Sequence, residues 1–174
     1  MAVGHRFALR CATAYATLLV LCELGSALVA GPNTEVVLRL GTAQPDSRCT
    51  IRPLGKASAD PAMLRQILEN LIGNAFKYSA KIAQPEITID QQMEHEKRWY
   101  RISDNGVGFD MRYADRMFGM FQRMHSAAEF PGTGVGLAII KRLVERHGGN
   151  VEAHSMPGRE TVFRFNLGPE ADRL

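Results

Sequence analysis

Asn70, Asn74, Lys77 and Tyr78 follow one another at steps of four, three and one. At ~100° per residue, that spacing sets them in one stripe along a helix. An amide oxygen is a hard, neutral ligand suited to Mg²⁺, and a lysine one turn on adds a charge for phosphate. Two asparagines a turn apart weaken a helix; an ordinary solvated flank is the competing reading of the stripe taken alone. Asp104 opens a second possibility. It precedes Asn105-Gly106-Val107-Gly108. A buried carboxylate there can accept a hydrogen bond from an adenine amino group, and the glycines permit close approach and unusual φ. The rival is a plain Asp-Asn-Gly turn. A third stretch, Gly132-Thr133-Gly134-Val135-Gly136, precedes a helix-like run. Free backbone N–H groups and a helix N-terminus suit polyphosphate. By spacing alone this signal is weak: the lysine-serine ending of a P-loop is missing, and no strand obviously precedes it as in a dinucleotide fingerprint.

These residues need elements to position them. Leu64, Ile67, Leu68, Leu71, Ile72, Ala75 and Phe76 recur at steps of three and four, as one buried helix face requires. Asp60-Pro61 reads as an N-cap followed by proline in the first turn, so a helix is predicted over 61–78. Strands are predicted at 35–40 and 48–52. Alternation predicts another at 86–90, a turn over 94–98, and a returning strand at 99–103 that delivers Asp104 at its end. From Asp110 to Pro131 there is little periodicity, but Met111, Met117, Met120, Met124, Phe118, Phe121 and Phe130 are present. A mobile lid anchored by apolar residues, with Phe118 and Phe121 among the anchors, fits this stretch; plain core is the alternative. A helix over 136–147 runs through Leu137, Ile140, Leu143 and Val144 and ends at Gly148-Gly149. Strands at 150–155 and 161–167 close the chain around a turn at Met156-Pro157-Gly158-Arg159. The expected fold is an α/β two-layer sandwich, a mixed β-sheet with helices on one face and a nucleotide lid.

A chain of 174 residues with 45% hydrophobic and 22% charged residues suits one soluble domain with a real core. The net charge of +3 and the lack of a basic run give nucleic-acid binding no support. Cys11, Cys22 and Cys49 are odd in number and far apart, so neither a disulfide framework nor a zinc site is indicated. Residues 1–30 form an apolar segment of uncertain role. Arg6 and Arg10, the uncharged run 11–22 and then Gly25, Ser26 and Ala27 mimic a signal peptide, and the run is too short for a membrane span. The preferred reading is a helix packing Leu18, Leu21 and Cys22 on a partner, or the remnant of a coupling region. A cytoplasmic chain without membrane association is expected, with residues 31–168 as the folded unit and 169–174 as a tail.

In order, Asn70 to Tyr78, Asp104 to Gly108, Phe118-Gly119-Met120-Phe121 and Gly132 to Leu137 resemble the N, G1, F and G2 boxes of the ATP-binding catalytic domain of sensor histidine kinases. That domain belongs to the superfamily shared with DNA gyrase, the Hsp90 chaperone and MutL. The resemblance covers roughly residues 24–167, and the run from Phe118 to Gly149 looks most like phytochrome-type kinases. It implies ATP with Mg²⁺ as ligand, with Asn74 holding the metal and Asp104 selecting adenine. It further implies that Asn70, Lys77, Tyr78, Gly106, Gly108, Phe118, Phe121, Gly132, Thr133, Gly134, Gly136 and Leu137 line the nucleotide site. No residue of this chain is itself catalytic in that scheme. The γ-phosphate would pass to a histidine on a dimerisation domain, and from there to a response regulator.

Three departures stand out. No histidine here is followed by the acidic, aliphatic, basic and proline pattern of the phospho-accepting box, so the chain reads as an isolated or truncated catalytic domain. Glu160 replaces the second glycine of the Gly-x-Gly that usually precedes Thr and Phe, which puts the turn geometry in doubt. Asn70 stands where gyrase-type relatives carry a water-activating glutamate. A regulatory serine kinase of the anti-sigma type and a non-catalytic nucleotide-binding module are the alternatives. His147 reads as structural at a helix end, and His125 as a lid residue that approaches phosphate.

Overall fold

The computed structural model describes residues 36–39, 48–55, 57, 59–122, 124–126, 129–130 and 132–168. The expectations for 1–30, for Cys11 and Cys22, and for the tail 169–174 lie outside the described residues. Six strands form one mixed sheet in the order β1-β2-β3-β4-β6-β5: β1 is Val36–Arg39, β2 Arg48–Ile51, β3 Glu86–Glu94, β4 Lys97–Asp104, β5 Val151–Met156 and β6 Glu160–Phe165. Two helices, α1 over Pro61–Ser79 and α2 over Gly136–Arg146, pack on one face of it. β2 and β3 pair in parallel, so the chain crosses between them through α1; the other neighbours are antiparallel. This is the expected two-layer α/β sandwich.

Alternation decides what lies between the layers. Cys49 and Ile51, Ile87 and Ile89, Tyr100 and Ile102, and Phe163 and Phe165 are buried. They meet Ile67, Leu68, Leu71, Ile72 and Ala75 of α1, with Ile140 and Val144 of α2. Each large aliphatic side chain so buried contributes roughly 2 kcal/mol before chain entropy is counted. Burial pushes the Cys49 thiol up to about 12, so it behaves as a small hydrophobe. The opposite face carries charge: Asp90 lies beside Arg52 and Arg101, and Arg164 pairs with Glu94 and Glu152 while stacking over Trp99.

Several boundaries move for identifiable reasons. Asp60 caps α1 through Met63 N–H at 2.9 Å, as expected, and the helix runs one residue further, to Ser79, whose hydroxyl bonds Ala75 O. The turn expected over 94–98 shrinks to His95 and Glu96, at φ +48° and +63°, because β3 and β4 pair up to Glu94↔Lys97. Two left-handed residues match the twist of such a hairpin. Glu160 does not disturb its turn. Arg159 N–H bonds Met156 O at 2.9 Å, Gly158 takes the positive φ of +73°, and Glu160 opens β6 opposite Met156.

His147 follows α2 and joins distant parts of the chain. Its Nε2 accepts the Asp60 N–H at 3.2 Å, and its Nδ1 is 2.8 Å from Leu143 O. A backbone amide can only donate, so Nδ1 carries the ring proton and the imidazole is neutral in this arrangement. Space for a side chain at Gly168 is closed by the carbonyls of His147 and Gly148. The structural reading of His147 holds. No helix among the described residues is long and apolar enough to cross a membrane.

Candidate functional site

The polar stripe of α1 faces the glycine-rich segments. At its far end, Tyr78 O accepts the Val107 N–H at 3.1 Å, and a Cβ on Gly106 would start 2.6 Å from that carbonyl. Eight residues back, or about 12 Å along the helix, Asn70 Oδ1 would stand 2.7 Å from a Cβ on Gly136, the first residue of α2. Its Nδ2 donates to Gln66 O, which leaves the oxygen turned toward Gly136. Lys77 Nζ would be 3.0 Å from a Cβ on Gly132 and donates to Tyr78 Oη at 3.2 Å. Between them Asn74 is half-buried, and its amide has no hydrogen-bond partner among the described residues. One helix therefore joins the Asp104 turn to the Gly132–Gly136 loop.

Asp104 ends β4 with only 4% exposure. Its Oδ1 accepts the Gly106 N–H at 2.9 Å. Burial pushes its carboxyl up to about 6, against the Gly106 hydrogen bond, which holds it down, and with a small push from the Glu160 charge. A carboxylate so placed can read an amino group and reject a carbonyl. Asn105 acts on the backbone instead. Its side chain accepts the Glu86 N–H and donates to Gln84 O, both at 2.9 Å, which pins the turn to the start of β3.

At the Gly132–Leu137 loop, Gly132 and Thr133 are exposed, Gly134 takes φ +71°, and Val135, the N-cap of α2, makes no side-chain cap. Its first N–H groups are left for an external acceptor.

The stretch between the two glycine segments departs from expectation in part. Met117 and Phe130 are buried and Phe118 packs against the core, so the segment is anchored. Phe121 is not an anchor: it is 71% exposed at φ +61°, and Met120 beside it is 62% exposed. A short 3₁₀ turn at Met111–Tyr113, capped by Asp110, breaks what reads as irregular in sequence. His125 Nε2 lies 2.8 Å from the Gly108 carbonyl, and its ring packs at a tilt against Tyr78 and Phe130, which sets it beside the Asp104 turn.

Sequence reasoning misses Thr161. It is buried, stands opposite Asp104 in the β4–β6 ladder and lies 3.2 Å from Ser155 through the two hydroxyls. Its signal is the Thr-Val-Phe run after Glu160; only pairing across 57 residues reveals its neighbour.

A mixed sheet backed by two helices thus brings two glycine segments against one stripe of α1. The sequence profile of histidine kinase-, DNA gyrase B- and HSP90-like ATPases matches residues 59–171. The chain is 36% identical over 130 residues to cyanobacterial phytochrome A of Nostoc sp., covering 75% of this chain and 17% of that protein. It is 36% identical over 110 residues to the sensor histidine kinase WalK of Bacillus subtilis, covering 62% and 18%. Among solved structures, the mycobacterial sensor histidine kinase MprB superposes with a TM-score of 0.60 at 25% identity, over 70% of this chain and 82% of that one. The chain belongs to this ATPase family, as the ATP-binding domain of the sensor histidine kinase type. It spans less than a fifth of the length of these two curated relatives.

Proposed function

We propose that this domain holds ATP with Mg²⁺ and presents the γ-phosphate to a histidine on another domain or chain. Asp104 accepts the adenine amino group, and Gly106 and Gly108 admit the base. Asn74, helped by Asn70, supplies amide oxygen to the ion. Lys77 and the N–H groups from Gly132 to Leu137 take the phosphates, and Tyr78 flanks the nucleotide. Phe118 fastens the covering segment, and Phe121 closes over the ligand. The observation that carries this reading is the single stripe of α1: the Tyr78 carbonyl meets Gly106, Lys77 Nζ beside it meets Gly132, and Asn70 Oδ1, eight residues before Tyr78, meets Gly136.

The donor set fits an ion that arrives with its ligand. Among the described residues no group of three His, Cys, Asp or Glu side chains could cage a metal. Mg²⁺ characteristically takes one or two protein oxygens and completes its shell with phosphate and water. When bound, it would neutralise charge on the phosphates; positioning is then the work of α1 and the loops. A histidine-bearing dimerisation domain and a response regulator are the implied partners, and the cytoplasm, where ATP is plentiful, the implied compartment. We take residues 31–168 as the functional unit, with 1–30 and 169–174 flanking it.

Titration calorimetry of the chain with ATP and GTP, with and without Asp104→Asn, tests the reading. ATP preferred by the parent and no preference in the variant is expected. Equal affinity of the parent for both nucleotides would remove the role of Asp104.

A further inference from the structure

We infer that Ser155 is a positioning residue for base recognition: its buried hydroxyl ties the glycine turn after Asp104 to the Thr161 hydroxyl and so sets the wall against which adenine is read. The inference rests on the base-binding role proposed for Asp104.

Ser155 lies on β5, on the side that faces the helices, and is 3% exposed. Its inward neighbours on that strand are Ala153 and Val151, so the position is otherwise an apolar one. A hydroxyl buried there is unfavourable unless it is bonded. It is bonded twice. Ser155 Oγ accepts the Phe109 N–H at 3.0 Å and lies 3.2 Å from Thr161 Oγ1. It also fills the place of a side chain at position 108: a Cβ on Gly108 would start 2.6 Å from Ser155 Oγ, and Gly108 has φ +70°. The glycine is therefore required by its backbone conformation and by the hydroxyl packed against it.

An amide can only donate, so Ser155 Oγ is an acceptor toward Phe109. Either hydroxyl can donate to the other. With Ser155 as donor, the Thr161 proton is left for an acceptor that a ligand supplies; the reverse order would leave the Ser155 proton behind Gly108, where no ligand reaches it. Thr161 is the ladder partner of Asp104. In the first order a hydroxyl donor and a carboxylate acceptor stand next to each other at one end of the sheet. A purine ring nitrogen beside an exocyclic amino group offers the complementary pair. On the same edge guanine has a carbonyl where adenine has its amino group, and its neighbouring ring nitrogen carries a proton, so donor and acceptor are exchanged.

The full-length chain is titrated with Mg·ATP, Mg·GTP and Mg·tripolyphosphate. In Ser155→Ala, ATP is expected to bind about tenfold more weakly, the loss typical of one orphaned buried hydrogen bond. Tripolyphosphate affinity stays at the parent value, so the ATP-to-GTP ratio narrows. Thr161→Val should do the same, and the double variant should be no worse than the larger single, because both remove one relay. Parent-like ATP affinity in Ser155→Ala, equal losses for ATP and tripolyphosphate, or additive losses would each overturn the inference. If Ser155→Ala does not fold, Ser155→Cys preserves the volume with a weak donor, and unchanged discrimination there overturns it equally. A parent chain that does not prefer ATP to GTP strikes the base-binding reading itself; a discriminating parent with an unaffected Ser155 variant strikes the relay alone.

Discussion

Asp104, Gly106, Ser155 and Thr161 are buried and joined to one another or to the adjoining turn by hydrogen bonds within the chain. Along the loop Gly132–Gly136 and the segment before it the arrangement is reversed: Gly132 and Thr133 are exposed, α2 starts uncapped, the Asn74 amide is unpartnered among the described residues, and Phe121 is turned outward. In the function proposed above, the first region is a base end finished before a ligand arrives, and the second a phosphate end that a ligand would complete. Rigid pockets discriminate and incomplete ones close, so that proposal divides selectivity from motion.

The largest expected effect tests whether the phosphate end holds without hydrolysing. Asn70 lacks a basic lone pair near neutral pH and cannot activate water as a carboxylate does. With γ-labelled ATP the pure chain should release almost no phosphate and take no acid-labile label, and label should appear on a histidine-bearing dimerisation fragment added in trans. Rapid phosphate release would mean that this end is already complete.

Next comes the ion. Asn74→Ala should abolish the Mg²⁺ dependence of ATP binding, with a loss on the order of a hundredfold for one oxygen ligand in a site that has few. Calorimetry with Mg²⁺ and with chelator decides it; a variant that keeps the parent's dependence shows that α1 has been assigned the wrong residue.

Asp104 gives a prediction of intermediate size, with a sign that depends on pH. Its folded value of about 6 lies above the ordinary 3.8. Ionising it in the fold therefore costs stability: no penalty applies below the unfolded value, the penalty grows as pH rises toward about 6, and it is complete above that. The difference amounts to about 3 kcal/mol in order of magnitude. Asp104→Asn should accordingly melt several degrees higher than the parent near neutral pH, with the gain fading at acid pH, while adenine affinity falls. A variant less stable than the parent at neutral pH would show that the base end is not held under electrostatic strain. Adenine affinity of the parent should itself weaken as pH drops through about 6 and the acceptor is protonated.

The smallest effect concerns motion. Amide exchange at Phe118, Met120 and Phe121 should slow on adding Mg·ATP, while Gly106 and Phe109, bonded to Asp104 and Ser155, are already protected. Equal protection of Phe121 with and without nucleotide would argue against a closing segment.

Local rules made much of this legible. The period of α1, its Asp60 cap and the alternation of β3 and β6 needed nothing from elsewhere in the chain. What sequence alone did not yield depends on partners far along it. Glu94 to Arg98 is rich in charge and reads as a loop, yet the ladder extends to Glu94↔Lys97 because the two strands lend each other hydrogen bonds. Phe121 is hydrophobic and reads as an anchor; burial is decided by packing, and Met117 and Phe130 take that place. Ser155 reads as one polar residue in a strand until the register sets it between Phe109 and Thr161. Asn70 and Lys77 were legible as a stripe, but their facing glycines were not.

The bond from Asp60 to His147 also bears on how the helical layer is held. It fastens the N-cap of α1 to the residue that follows α2, and the chain leaving β6 passes the same histidine at Gly168. Three stretches far apart in sequence are thus stapled at one imidazole, at the opposite end of α2 from the glycine loop. A change at His147 would loosen that seam while leaving the glycine loop's own contacts in place.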